Sequence, residues 1–119
     1  MSAPEALVKA KVRQLLAEYG SKLYSFWPVP SGYGQTTIDC IGCYRGRFFA
    51  IETKAPKKKP TLRQMAVLNQ MDMAMATTFV IDSVDSPVLD DLRLWLDQLT
   101  GLVNDRPHLT PDSVRRSPL

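Results

Sequence analysis

Between Ile38 and Lys54 the chain reads IDCIGCYRGRFFAIETK, two β-rich runs separated by Arg45-Gly46. A short glycine-bearing break between two such runs is a hairpin signal, because glycine takes the backbone conformation that a tight turn demands. The spacing predicts strands over residues 38–44 and 47–54. A two-residue loop sets Tyr44 opposite Arg47, and every other pair follows from that one. Asp39 then falls directly opposite Glu52.

Directly opposed residues have Cβ atoms roughly 4.5–5.5 Å apart, where like charges repel. Alternation along the second strand puts Glu52 and Lys54 on the face that carries Asp39, with Thr53 pointing away. Phe48, Ala50 and Ile41 share that face, and Phe49, Ile51 and Ile38 occupy the other. Two carboxylates and an ammonium group converging in this way suit a hard divalent cation. Mg²⁺ is commonly held by one or two carboxylates and keeps waters that substrate phosphate oxygens replace. The pattern points to phosphate chemistry, and strands apolar on both faces point to α/β layering.

Asp39, then Glu52-Thr53-Lys54, resembles the D…(D/E)xK signature of restriction-endonuclease-like nucleases. With GYG, ID, CYRGRFFAIETKAP and PTLRQ, the stretch from about Pro4 to Asp82 is similar to the VRR-NUC family, in particular its small stand-alone phage members. Ile38 stands where that family usually carries proline. The resemblance implies a mixed sheet flanked by helices in the order αβββαβ, here with an added C-terminal helix. It also implies a Mg²⁺- or Mn²⁺-dependent DNA endonuclease acting on branched DNA, in the manner of a Holliday-junction resolvase. Asp39 and Glu52, with the Thr53 carbonyl, would hold the metal, and Lys54 would orient or activate water. Glu5 and Gln64 match supporting positions of the family, and a phage-encoded enzyme of this kind would act in the host cell.

The remaining sequence sets bounds on this reading. A chain of 119 residues, 45% hydrophobic, suffices for one domain with a core, expected over residues 1–103 with a tail over 104–119. It contains no long apolar run and no signal-like N-terminus, so an intracellular protein without a membrane span is expected. Residues 1–70 carry eleven Lys/Arg against four Asp/Glu, and residues 71–119 four against eight. A basic half that contains the carboxylate hairpin would attract a polyanion such as DNA. Cys40 and Cys43 form a C-x-x-C, but their odd spacing sends them to opposite faces of a strand. With His108 the sole histidine, a closed zinc site lacks ligands, so both read as structural cysteines.

Helical periodicity over Ser2–Tyr19 places Val8, Val12, Leu15, Leu16 and Tyr19 on one stripe, with Glu5 on it. Glu5 also completes a capping box with Ser2, so capping and site membership both remain open. Leu23–Trp27 reads as an aromatic strand ended by prolines. Ser31-Gly32-Tyr33-Gly34-Gln35 is either a connector or a loop that brings Tyr33 and backbone amides to nucleic acid. Lys57, Lys58 and Lys59 between two prolines, and Arg63 beyond them, are candidates for phosphate contacts or a solvated surface. Thr61–Met75 reads as a helix in which Gln64, Leu68, Met71 and Met75 share a face and Gln64 is spaced to cap Thr61. Its methionines are expected to fill core. Thr77–Ile81 is a strand reached by a right-handed crossover, and Ser86–Leu99 a third apolar helix. Resolving a junction takes two symmetric cuts, so a homodimer is expected, and the third helix with Trp95 and the strand with Phe26 and Trp27 are either the surface it would use or intramolecular core.

Overall fold

The computed structural model describes residues 3–29, 38–102 and 110. Among them the order is α1 (Ala3–Ala17), β1 (Leu23–Phe26), β2 (Cys40–Tyr44), β3 (Arg47–Thr53), α2 (Leu62–Met73), β4 (Thr77–Ile81) and α3 (Pro87–Thr100), with one 3-10 turn, Gly20–Lys22, before β1. This is an α/β protein with a four-stranded mixed sheet. The strands lie in the order β1-β2-β3-β4, antiparallel except for the parallel pair β3 and β4. Antiparallel strands need only the two-residue turn between β2 and β3, whereas the parallel pair requires a crossover, and α2 supplies it. At the turn, Arg45 (φ 52°) and Gly46 (φ 80°) are both left-handed, the combination that matches the twist of a two-residue hairpin. Tyr44 pairs with Arg47, as the loop length requires.

Helices α1 and α3 cover one face of the sheet. Val8, Val12, Leu15 and Leu16 of α1, and Leu89, Leu92, Leu96 and Leu99 of α3, bury against Cys40, Tyr44, Phe49, Ile51, Phe79 and Ile81. A side chain as fully buried as Leu92 or Leu96 contributes roughly 1.5–3 kcal/mol through removal from water. Local signals start the helices. Ser86 Oγ accepts from the Val88 amide ahead of Pro87 at the first turn of α3, and Thr61 and Gln64 form a reciprocal capping box on α2. Trp95 packs edge-on to Phe49 and Phe79, with centroids 6.1 and 5.7 Å away. Trp27 joins the same core and carries Arg13 over its ring at 4.2 Å. Of the two alternatives, core or dimer surface, both tryptophans take the first, partly buried against the subunit's own core, whereas Phe26 is exposed.

Among the described residues α2 covers the opposite face, through Leu68, Val67 and Met71 on Ile38, Ala50, Ile41 and Val80. Ile38 joins the Ala50 cluster and not that of Phe49 and Ile51, because regular alternation begins only where β2 does, at Cys40. The expectation that both faces are buried holds for the α1/α3 side; on the α2 side Phe48 is exposed. The methionines divide similarly. Met71 packs on the core, but Met65, Met73 and Met75 are exposed. Helix α2 ends at Met73 and Met75 turns left-handed (φ 74°), so the helical face that would have carried it inward stops short. Cys40 is buried and Cys43 exposed, on opposite faces, so only Cys40 serves the core. No helix among the described residues is long and apolar enough to cross a membrane.

Candidate active site

The paired register of β2 and β3 ends at Cys40 and Ile51, one step short of Asp39 and Glu52. Glu52 lies within β3, between β2 and β4, and is 1% exposed. Asp39 occupies a bend before β2. Freed from strand geometry, its carboxylate turns across the end of β3. Oδ2 accepts from the Thr53 amide at 2.9 Å and from the Thr53 hydroxyl at 2.8 Å. Thr53 was expected to point away from the carboxylates. Its hydroxyl instead clamps one of them, because the bend brings Asp39 within reach of both Thr53 donors.

Lys9 Nζ lies 3.4 Å from Asp39 Oδ1. Lys9 was not singled out in the sequence. The available signal was its spacing, one helical turn after Glu5 and one residue after the buried Val8, which places both charges at the sheet-facing edge of α1. Glu5 is close enough for its charge to act on Glu52. Among the described residues, however, no three His, Cys, Asp or Glu side chains gather as a ligand group. Ser2, the capping partner expected for Glu5, lies outside the described residues.

The two carboxyl groups titrate as a coupled pair. Burial, the hydrogen bond to Asp39 and the Asp39 charge push Glu52 up to about 9, against which Lys54 acts. Asp39 moves the other way. Burial raises it, but hydrogen bonds from Glu52 and from the Thr53 amide and hydroxyl, with the Lys9 charge, outweigh burial and hold it below its ordinary value. One proton therefore resides on Glu52 and is shared with an ionised Asp39. Glu52 Oε2 is buried with no hydrogen-bond partner, an arrangement that costs about 1–3 kcal/mol unless something compensates it. An oxygen-only donor set with one unsatisfied buried oxygen fits a hard cation such as Mg²⁺ or Mn²⁺.

The other predicted residues divide. The Lys54 amide donates to Ile81 O at 2.9 Å, which ties the residue to β4 while its partly exposed side chain acts on Glu52. Gln64 Oε1 accepts from the Thr61 amide at 2.9 Å, so its carbonyl oxygen is engaged in the cap. Lys57, Lys58, Lys59 and Arg63 are exposed beyond β3. Tyr33 lies outside the described residues. A groove lined by Lys11, Gln14, Glu18 and Arg93 runs between α1 and α3 and is closed at one side by the 2.8 Å Arg93–Glu18 ion pair; it does not include the carboxylate pair. Comparison with protein-family models, curated proteins and solved structures returned no match.

Proposed function

We propose that this chain is a metal-dependent endonuclease that hydrolyses phosphodiester bonds in DNA, selective for branched structures. The observation that carries the reading is the Asp39–Glu52 pair, two carboxyl groups at the end of a central strand with a buried, unpartnered oxygen and lysines on either side. A protein with no use for such a pair would gain stability by replacing it, since burying carboxylates is costly. The resemblance of Asp39 and Glu52-Thr53-Lys54 to the VRR-NUC signature supports the same reading.

Asp39 and Glu52 would hold Mg²⁺ or Mn²⁺, which when bound lowers the pKa of a coordinated water and stabilises charge on the scissile phosphate. Thr53 positions Asp39 through two donors and leaves Oδ1 directed toward Lys9. Lys54, whose charge acts on Glu52, would orient a water or a phosphate oxygen. Lys57 to Lys59 and Arg63 supply exposed positive charge for phosphates outside the reacting bond. Symmetric cleavage of a junction calls for two copies of this site, and a two-fold homodimer is part of the proposal.

The test is cleavage of duplex, flap and four-way junction DNA with Mg²⁺ or Mn²⁺, alongside light scattering of the protein. Paired nicks on the junction by a dimer are the expected result. Equal cutting of linear duplex by a monomer would leave a general nuclease, and binding without cutting under any of these ions would leave a non-catalytic DNA-binding protein.

A further inference from the structure

Among the described residues the α2 side of the sheet is only half covered, and what it exposes is largely aromatic. Tyr24, Cys43 and Phe48 form one row across β1, β2 and β3, and Phe26, Ile41 and Ala50 the next. Facing residues share a side, so all six project from the face that carries α2. Helix α2 covers Ala50 and packs on Ile41, yet Tyr24 is 66% exposed, Phe26 49% and Phe48 43%. Glu52 is the next residue of β3 on the same face, just past the end of its pairing with β2. By strand geometry Phe48 lies about 13 Å from Glu52 along β3, and Phe26, two strands away, about 12 Å from it.

Glu52, itself buried, is the only acidic residue on the four strands. Lys22 precedes β1, Lys54 stands beyond Glu52 and the exposed Lys57, Lys58 and Lys59 follow it, whereas Arg47, paired with the buried Tyr44, projects from the opposite face. A second copy of this surface would bring cations against cations with no exposed carboxylate on the strands to meet them. A polyanion with flat apolar groups meets both requirements. Single-stranded nucleic acid is such a ligand, because its bases stack on exposed aromatic rings while its phosphates follow positive charge.

We infer that Tyr24, Phe26 and Phe48 form a stacking platform for unpaired nucleotides, which leads a single strand along the sheet face to the Asp39–Glu52 pair. The inference rests on the nuclease reading for the strand's destination. It makes the preferred substrate DNA with an unpaired segment next to the scissile bond.

The experiment is fluorescence anisotropy of a labelled short oligothymidylate, and of an abasic strand of equal length, in EDTA so that no cleavage intervenes. Tyr24→Ala, Phe26→Ala and Phe48→Ala should each weaken oligothymidylate binding about tenfold, the loss of one base stack. Tyr24→Phe, Phe26→Tyr and Phe48→Tyr should bind as wild type, and these keep the test valid if an alanine variant folds poorly. Wild type should bind the abasic strand more weakly than oligothymidylate. Equal affinity for the two strands would overturn the inference, as would alanine variants that bind normally. Alanine variants that change oligomeric state and not affinity would assign the face to contacts between copies. The same oligonucleotide incubated with Mg²⁺ separates the two claims: aromatic-dependent binding without any cleavage would sink the nuclease reading and uphold the platform.

Discussion

Thr53 donates both its amide and its hydroxyl to a single oxygen of Asp39, at 2.9 and 2.8 Å. A fully buried threonine thus holds a carboxylate that no strand pairing holds. Thr53→Val keeps the shape and strand preference and removes one donor. The substitution should destabilise the protein by about 1.5–3 kcal/mol, the worth of a hydrogen bond to a charged group, and should raise the Asp39 pKa. Urea denaturation and an NMR titration of Asp39 measure the two effects. Unchanged stability together with an unchanged titration would mean that the clamp does not position Asp39.

Glu52 makes metal-free stability fall with pH. Its folded value is pushed up to about 9 from an ordinary 4.5, so across that interval the folded state holds a proton that the unfolded chain releases. Stability is then fullest below about pH 4.5 as far as Glu52 is concerned, and it declines as pH rises toward 9. Asp39, shifted downward, acts only in acid: the stability it confers is lost as pH falls below its ordinary value of 3.8. Denaturation in EDTA between pH 5 and about 9 should show the decline, and Glu52→Gln should flatten it. A wild-type profile already flat would place Glu52 in water-like surroundings.

Two lysines adjoin the carboxylates, and their substitution should have different consequences. Lys9 pairs with Asp39 Oδ1 at 3.4 Å, with both side chains partly exposed. Lys9→Ala should cost less than about 1 kcal/mol and raise the affinity for Mn²⁺, since it removes a cation that competes for Asp39. Lys54→Ala should lower turnover by about 10²-fold, the typical worth of a positioned acid or base group, with Mn²⁺ affinity little changed. Calorimetric Mn²⁺ titrations and single-turnover cleavage distinguish them. Weaker Mn²⁺ binding by the Lys9 variant would make Lys9 a support of the site and not a competitor.

Gly42 shows where backbone approach limits the sheet. A Cβ at this position would meet the Tyr24 carbonyl oxygen and the Phe49 ring. Gly42→Ala should therefore displace Phe49 from its place beside Trp95 and cost at least about 1–3 kcal/mol, as overpacking does. Thermal melting and near-ultraviolet circular dichroism check it; a native-like melt and spectrum would show that β1 and Phe49 yield without cost.

What the sequence disclosed depended on the range of each cause. The hairpin was legible because Arg45-Gly46 admits few turns, and one pair then sets all the others down to Cys40 and Ile51. The capping box of α2 and the buried leucines of α3 are equally local. Asp39 was legible as a neighbour of Glu52, but its bend and its bonds to Thr53 were not, because alternation says nothing about residues ahead of the strand. Lys9 reaches Asp39 only through the docking of α1 on the sheet, which no spacing encodes. Met75 was misread because helical periodicity was carried past the left-handed turn there, and Met73 because it lies within α2 but off the face that carries Leu68 and Met71; Trp95 stayed open because an apolar stripe does not say whether its partner is the same chain or another.

The measurement that bears most directly on the central claim is cleavage of branched DNA by wild type, Asp39→Asn and Glu52→Gln, each confirmed folded, across a titration of Mg²⁺ or Mn²⁺. Loss of an outer-shell partner in a metal site costs about 10–100-fold, so loss of a carboxylate that holds the metal should cost at least about 10²-fold. Wild type should cut only when the divalent ion is present, and both variants should bind DNA and fail to cut it. Cleavage by wild type in EDTA, or wild-type rates from either folded variant, would contradict the assignment of Asp39 and Glu52 as the metal-holding pair of a nuclease.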